Sequence, residues 1–314
     1  MLAYLLRRVL LAIPVMFVVA AGVFLLLYLT PGDPVSVILG PDASPQQVSE
    51  LRQRLGLDQP VLIQVTRWFG RLLHGDLGQS IYLNRPVTQT ILERAEPTLL
   101  LTLLATLFAI LVGLPIGIVS ATRAGSWTDL GAMLVALGGI SMPSFWVGLN
   151  LIFVFAVVMG VLPVAGYQPL SKGPWENLRY LLLPAVTLGF AQAALLARMA
   201  RSLMLDVLRE DYVRTARSKG LVERKVVLSH ALRNAMVPLV TVMGLTFAIL
   251  MGGAVITEQV FNIPGIGRLL VQSVLRRDYP VVQGIVLVIA FNYIVINLLV
   301  DILYGLFDPR VRHS

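Results

Sequence analysis

Residues 211 to 227 read DYVRTARSKGLVERKVV, a basic stretch set between two of the most apolar segments of the chain. Five of its side chains are Lys or Arg and two are acidic. Around it, 57% of the 314 residues are hydrophobic, 13% are charged, and mean hydropathy is +0.80. Soluble domains hold roughly 45–50% apolar and about 25% charged residues, so this composition belongs in a membrane. A helical span needs about 20 mostly apolar residues. Six segments meet that length: 9–29, 98–122, 134–158, 180–200, 237–256 and 281–303. The first is read as a span and not a cleaved signal, because its apolar run to Leu29 outlasts the roughly 7–15 residues of a signal core.

The predicted fold is therefore an all-α membrane protein of six transmembrane helices. Its parts are a first span within 1–29, a helical extracytoplasmic insertion at 30–97, a core of five spans at 98–305, and a tail at 306–314. A cytoplasmic loop at 201–236 interrupts the core. Lys and Arg near span ends stay cytoplasmic. One side of the six alternating spans collects 14 of them, and the short loops of the other side collect five: Lys172, Arg179, Arg268, Arg276 and Arg277. Long loops cross largely regardless of charge, so the six in 30–97 do not count. Both termini are expected in the cytoplasm, and the opening stretch with them.

From Arg198 to Arg233 the loop holds nine basic and four acidic residues. Leu205, Leu208, Tyr212 and Ala216 recur at spacings of three, four and four, which predicts an amphipathic helix with Arg209, Arg214 and Arg217 on its other side. Gly220, after Arg217 and Lys219, suits a left-handed cap at the negative end of that helix. A second helix is predicted from Glu223 to about Met236, with Gly220 and Leu221 at the tip between them. Three uses fit such an element: a basic loop that sets topology or touches anionic lipid, a DNA-binding helix-turn-helix, and a knob laid in the groove of a cytosolic partner. Tethering by two spans argues against DNA. The small residues Ala216 and Gly220 favour the knob.

In the external insertion, Ser44 is a predicted N-cap, Pro45 a first helical residue and Gly56 a helix end, with Val48, Leu51 and Leu55 on one face. A second amphipathic stretch covers Val61 to Leu73. These helices either cap the bundle or form a docking surface. In the spans, the small-x-x-x-small pair of GLPIG at 113–117 predicts close helix packing. The same reading is preferred for Gly244, Gly252, Gly253 and the interruption at Ser141, Met142 and Pro143, which are alternatively bends that move in gating. Polar groups in the spans mark a pathway or bond to one another: Asn150, Gln192, Thr241, Thr246, Asn292 and Asn297. Glu258, leading into an external loop, is a candidate outer gate, and Asp301 is expected to pair with an arginine.

Several chemistries are excluded. There is no cysteine, and His74, His230 and His313 are scattered, so no thiolate chemistry and no metal site is expected. An intramembrane enzyme needs a catalytic constellation at membrane depth; no acidic pair and no His lies in a span core. No G-x-x-x-x-G-K-[ST] occurs, so the chain holds no P-loop for ATP phosphates.

The chain resembles the integral membrane permeases of bacterial ABC importers, in the dipeptide, oligopeptide, glutathione and nickel branch. The resemblance rests on TPGDP at 30–34, GLDQP at 56–60, GDLGQS at 75–80, SMPSFWVGL at 141–149, LPAVTLG at 183–189, DYVRTARSKGL at 211–221, HALRNAMVP at 230–238, EQVFNIPGIGRLL at 258–270, RDYPVVQG at 277–284 and DPR at 308–310. It implies a type I importer permease fold in the bacterial inner membrane. It also makes the basic loop the coupling element, with Tyr212, Arg214, Thr215, Ala216, Arg217, Gly220 and Leu221 at the ATPase contact. The general motif begins Glu-Ala-Ala; Arg214, Thr215 and Ala216 stand there, with Gly220 in register. The resemblance further implies ATP and Mg2+ on two partner ATPase subunits, a second similar permease, an external solute-binding protein, and no cofactor in this chain. Short peptides are the expected cargo, then glutathione, then nickel. A passive channel or scaffold is the reading from outside this class, distinguished by the absence of an ATPase partner on purification.

Overall fold

In the computed structural model, residues 2–29, 35, 39–40 and 43–307 are described, and among them the chain forms helices and turns with no strand. TPGDP at 30–34, DPR at 308–310 and the side chain of Asp301 lie outside the described parts. Helix α1 covers Leu2–Leu29, α2 Pro45–Leu55, α3 Val61–Leu73, and α4 Val87–Thr122. Next come α5 (Trp127–Ser141) and α6 (Ser144–Leu151), which runs into a π-helical turn at Ile152–Val158. Then follow α7 (Pro174–Leu208), α8 (Asp211–Ser218), α9 (Glu223–Val260), α10 (Ile266–Leu275) and α11 (Tyr279–Phe307).

Four helices, α4, α7, α9 and the Tyr279–Val300 part of α11, are long and apolar enough to cross a membrane, and α1 adds an apolar segment at Leu10–Leu25. The predicted span at 134–158 is bent at its Ser141, Met142 and Pro143 interruption. It is split between α5 and α6, which meet at a 103° bend. Pro143 disfavours a helical residue before it, and Met142 accordingly takes φ −82° and ψ 130°, an extended geometry that stops α5. Pro143 then opens α6.

The chain divides into two compact units. Among the described residues, the first comprises 97–264 and 293–307. Its centre is α7, whose most apolar 18-residue window is 56% buried against 33% for α4 and α9. Leu181, Leu183, Ala185 and Leu188 of α7 pack in one cluster with Leu101 and Ala105 of α4 and Leu250 and Ala254 of α9. Further along, Leu196, Ala200 and Met204 meet Ala121, Ala231, Ala235 and Leu239. Glycine lets the helices touch: a Cβ on Gly113 would stand 2.4 Å from the Ala193 carbonyl oxygen, and one on Gly117 2.5 Å from that of Ala197. Gly244 likewise lies against Val300, whereas a Cβ on Gly252 would meet nothing of this chain within 4 Å. Three buried hydroxyls are satisfied within their own helices: Thr102, Thr106 and Thr187 each donate at 2.8 Å to the carbonyl four residues back.

The second unit comprises the described residues of 2–96 together with 265–292. The α2 start carries a full capping box between Ser44 and Gln47 with Pro45 at the first turn, and Gly56 ends it at φ 69°. The amphipathic face of α3 buries Trp68 against Ala20 and Phe24 of α1, and Phe17 stacks on Phe69 at 5.0 Å. Val87 and Ile91 of α4 pack with Ile266, Leu269, Val281 and Ile285. The conspicuous motifs GDLGQS and RDYP meet here: buried Asp278 accepts the Ser80 hydroxyl at 2.5 Å and the Ile81 and Tyr82 amides at 3.1 and 3.3 Å, and the Arg276 guanidinium lies 3.8 Å over the Tyr82 ring. Asp278 thus pins the loop before α4 to the turn before α11.

Candidate functional site

The basic stretch folds as α8, a tight turn and the start of α9. The predicted amphipathic helix through Leu205 and Ala216 is corrected in one respect: α7 ends at Leu208, Arg209 and Glu210 break the helix, and α8 begins afresh at Asp211. The break rotates the stripe. Val213 and Ala216 are buried with Val226, against half-buried Leu208 and Leu221, while Tyr212 is 40% exposed. The Tyr212 hydroxyl instead accepts a 2.7 Å bond from the Asn234 side chain of α9.

Gly220 has φ 77°, the left-handed conformation its position predicts. Its N–H donates to Arg217 O at 2.9 Å and the Leu221 N–H to Ala216 O at 3.4 Å, the paired bonds of a Schellman end, with Leu221 packing back on Ala216. Arg217 donates through Nη2 at 2.7 Å and Nε at 3.1 Å to Glu223, bridging the turn in a two-pronged pair. That hydrogen bonding holds the guanidinium above its ordinary pKa. Arg214 is exposed beside Asp211, and the Thr215 hydroxyl donates to Asp211 O at 2.9 Å. The second predicted helix does not end near Met236. It continues through a π-helical turn at Val226–Ala231 and past Pro238 to Val260. The result is a knob braced from within, presenting Tyr212, Arg214 and Lys219 outward with Val222 at its tip, 73% exposed. Such a surface can dock into a groove; it carries no reactive constellation. Val222 and Asn234 are not among the contact residues that the resemblance implies; Val222 owes its exposure to the turn, and Asn234 its role to the bond with Tyr212.

The polar pathway candidates stand at different depths of the chain. Asn150 is exposed, Gln192, Thr241 and Asn292 are half-buried, and Thr246 is buried. Asn150, Asn292 and Asn297 each donate to the carbonyl four residues earlier, at 2.8, 2.9 and 2.9 Å. The Gln192 side-chain oxygen is buried without a partner. Glu258 is fully buried and accepts the Thr98 hydroxyl at 2.6 Å, which ties the end of α9 to α4. Just beyond it the chain turns at Asn262, φ 53°, with Ile263 N–H on Glu258 O at 2.8 Å.

Sequence reading missed a second polar cluster. Asp129, at the first turn of α5, is buried and takes both prongs of Arg201 on α7, at 2.6 and 2.7 Å, together with the Ser120 hydroxyl and the Gly125 N–H. Its one sequence signal, Ser126 three residues earlier, points only to a helix cap. Ser126 does cap α5, but the Asp129 carboxylate turns away to Arg201.

Residues 113–313 match the family described as binding-protein-dependent transport system inner membrane component, and residues 1–102 match that family's N-terminal membrane component. A protein of Brucella abortus (strain 2308), whose name assigns it to a peptide transport system as permease, is 50% identical over 314 residues, all of both chains. The glutathione transport system permease protein GsiC of Salmonella paratyphi A (strain ATCC 9150 / SARB42) is 47% identical, again over all of both chains. Among solved structures, the MetNI methionine ABC transporter in an inward-facing conformation matches with a TM-score of 0.58 at 18% identity, over 70% of this chain and 97% of that one. At that identity the likeness concerns the fold.

Proposed function

The chain belongs to the binding-protein-dependent transport system inner membrane component family, a multi-pass permease subunit of an ABC importer, and from that premise we propose that its cargo is short peptides. The observation that carries this reading is the end-to-end match, at half identity, to a permease named for peptide transport. Glutathione, itself a small peptide, is the second reading, supported by the match to GsiC.

In this reading both termini are cytoplasmic, and α8 with its Gly220 turn seats in a groove of a cytosolic ATPase. Two ATPase subunits hold ATP and Mg2+, a second similar permease completes the pathway, and an extracytoplasmic binding protein delivers cargo. The chain itself performs no catalysis. ATPase closure moves α8 and rocks the spans between inward-open and outward-open states. Co-purification with the products of neighbouring genes tests the assembly: one similar permease and two ATPase subunits are expected, with ATP-dependent uptake of peptide in vesicles. A chain that transports as a homodimer without ATP would refute it. Ligand released from the purified binding protein decides between peptide and glutathione.

A further inference from the structure

Resting on the reading of α8 as the ATPase contact, we propose that the Asp129–Arg201 ion pair is the joint that carries movement of α8 into the α4–α5 hairpin. One carboxylate fastens three parts of that hairpin: Ser120 near the end of α4, Gly125 in the connecting turn, and its own place on α5. Its counter-charge comes from a different helix, through a fork-to-fork contact of 2.6 and 2.7 Å that fixes orientation as well as distance.

Arg201 lies on the last two turns of α7, about 10 Å before the end of the helix at Leu208. Only Arg209 and Glu210 separate that end from α8. A push on α8 therefore reaches Arg201 across that two-residue break and then along the last two turns of α7. The neighbouring α4–α7 contacts at Gly113 and Gly117 are backbone approaches without charge; they hold the helices together but do not key one to the other. Asp129 is only 4% exposed, whereas the Arg201 side chain keeps 28% of its surface, so losing Arg201 leaves a buried carboxylate without its counter-charge. Asp129 and Arg201 act as positioning residues.

The test uses the full complex in vesicles, with ATP hydrolysis measured with and without its ligand-loaded binding protein. Stimulation of the unmodified complex is the reference, and its absence overturns the coupling role of α8 and this proposal with it. Asp129→Asn and Arg201→Gln should each assemble with all partners and keep basal hydrolysis. Each should lose stimulation roughly tenfold, within the range of allosteric couplings. The double variant should be no worse than either single one. A purely structural role would lower assembly and leave the ratio of stimulated to basal hydrolysis unchanged in the complexes that form. Full stimulation in the single variants, or losses that multiply in the double, overturns the joint. Should these variants fail to assemble, Ser120→Ala and Arg201→Lys remove one bond or the fork while keeping the charges; partial loss of stimulation is expected, and full stimulation in both overturns the proposal.

Discussion

At Gly220 the backbone sits at φ 77°, while a Cβ added there would meet nothing within 4 Å. The constraint is conformational and not steric, and this separates two substitutions of similar size. A left-handed backbone costs an ordinary residue about 1–2 kcal/mol, whereas Asn adopts it readily. Gly220→Val should unwind the Schellman end, redirect Leu221 and Val222, and abolish most ATP-driven uptake without affecting membrane insertion. Gly220→Asn should retain most of the uptake. Transport by both variants in reconstituted vesicles is the measurement, and equal rates would remove the turn from the coupling path.

Among the elements, the contact of α4 with α7 depends on absent side chains. A Cβ at Gly117 would stand 2.5 Å from the Ala197 carbonyl oxygen and 2.6 Å from the Ala200 Cβ, both on a rigid helix. Neither can yield by changing a rotamer. Gly117→Leu should force the helices apart and lower the stability of the purified protein by at least about 1–3 kcal/mol, the usual cost of overpacking. Gly131→Ala, where the added Cβ meets open space, should leave stability near that of the parent. Thermal unfolding of the two variants in detergent checks both. The elements also differ in how they tolerate polarity: Thr102 and Thr106 of α4 return their hydroxyls to their own backbone, whereas Asp129 depends on another helix for its counter-charge.

For the whole molecule the open expectation is orientation, which follows from 14 basic residues on one side against five on the other. The chain contains no cysteine, so single cysteines report cleanly. Asp58→Cys should react with a membrane-impermeant maleimide added outside intact spheroplasts, and Lys219→Cys only after the membrane is opened. The reverse pattern would put α8 on the wrong side to meet a cytosolic ATPase.

Composition alone determined that this chain lives in a membrane, because burying its apolar excess in water-soluble form would leave too little polar surface to cover it. Local sequence also determined the helix ends, since Ser44, Pro45, Gly56 and Gly220 act through their own backbone bonds and need no distant partner. Tertiary structure decided what periodicity cannot express. The 103° bend at Met142–Pro143 divides a run that reads as one apolar span, since apolar length is blind to direction. The break at Arg209–Glu210 moves burial from Tyr212 to Val213, since a two-residue interruption resets the phase of every later side chain. Asp129 and Arg201 are 72 residues apart, and Ser80 and Asp278 are 198 apart. Their pairing exists only once the helices are packed, because a charge away from water is stable where the fold brings it a partner.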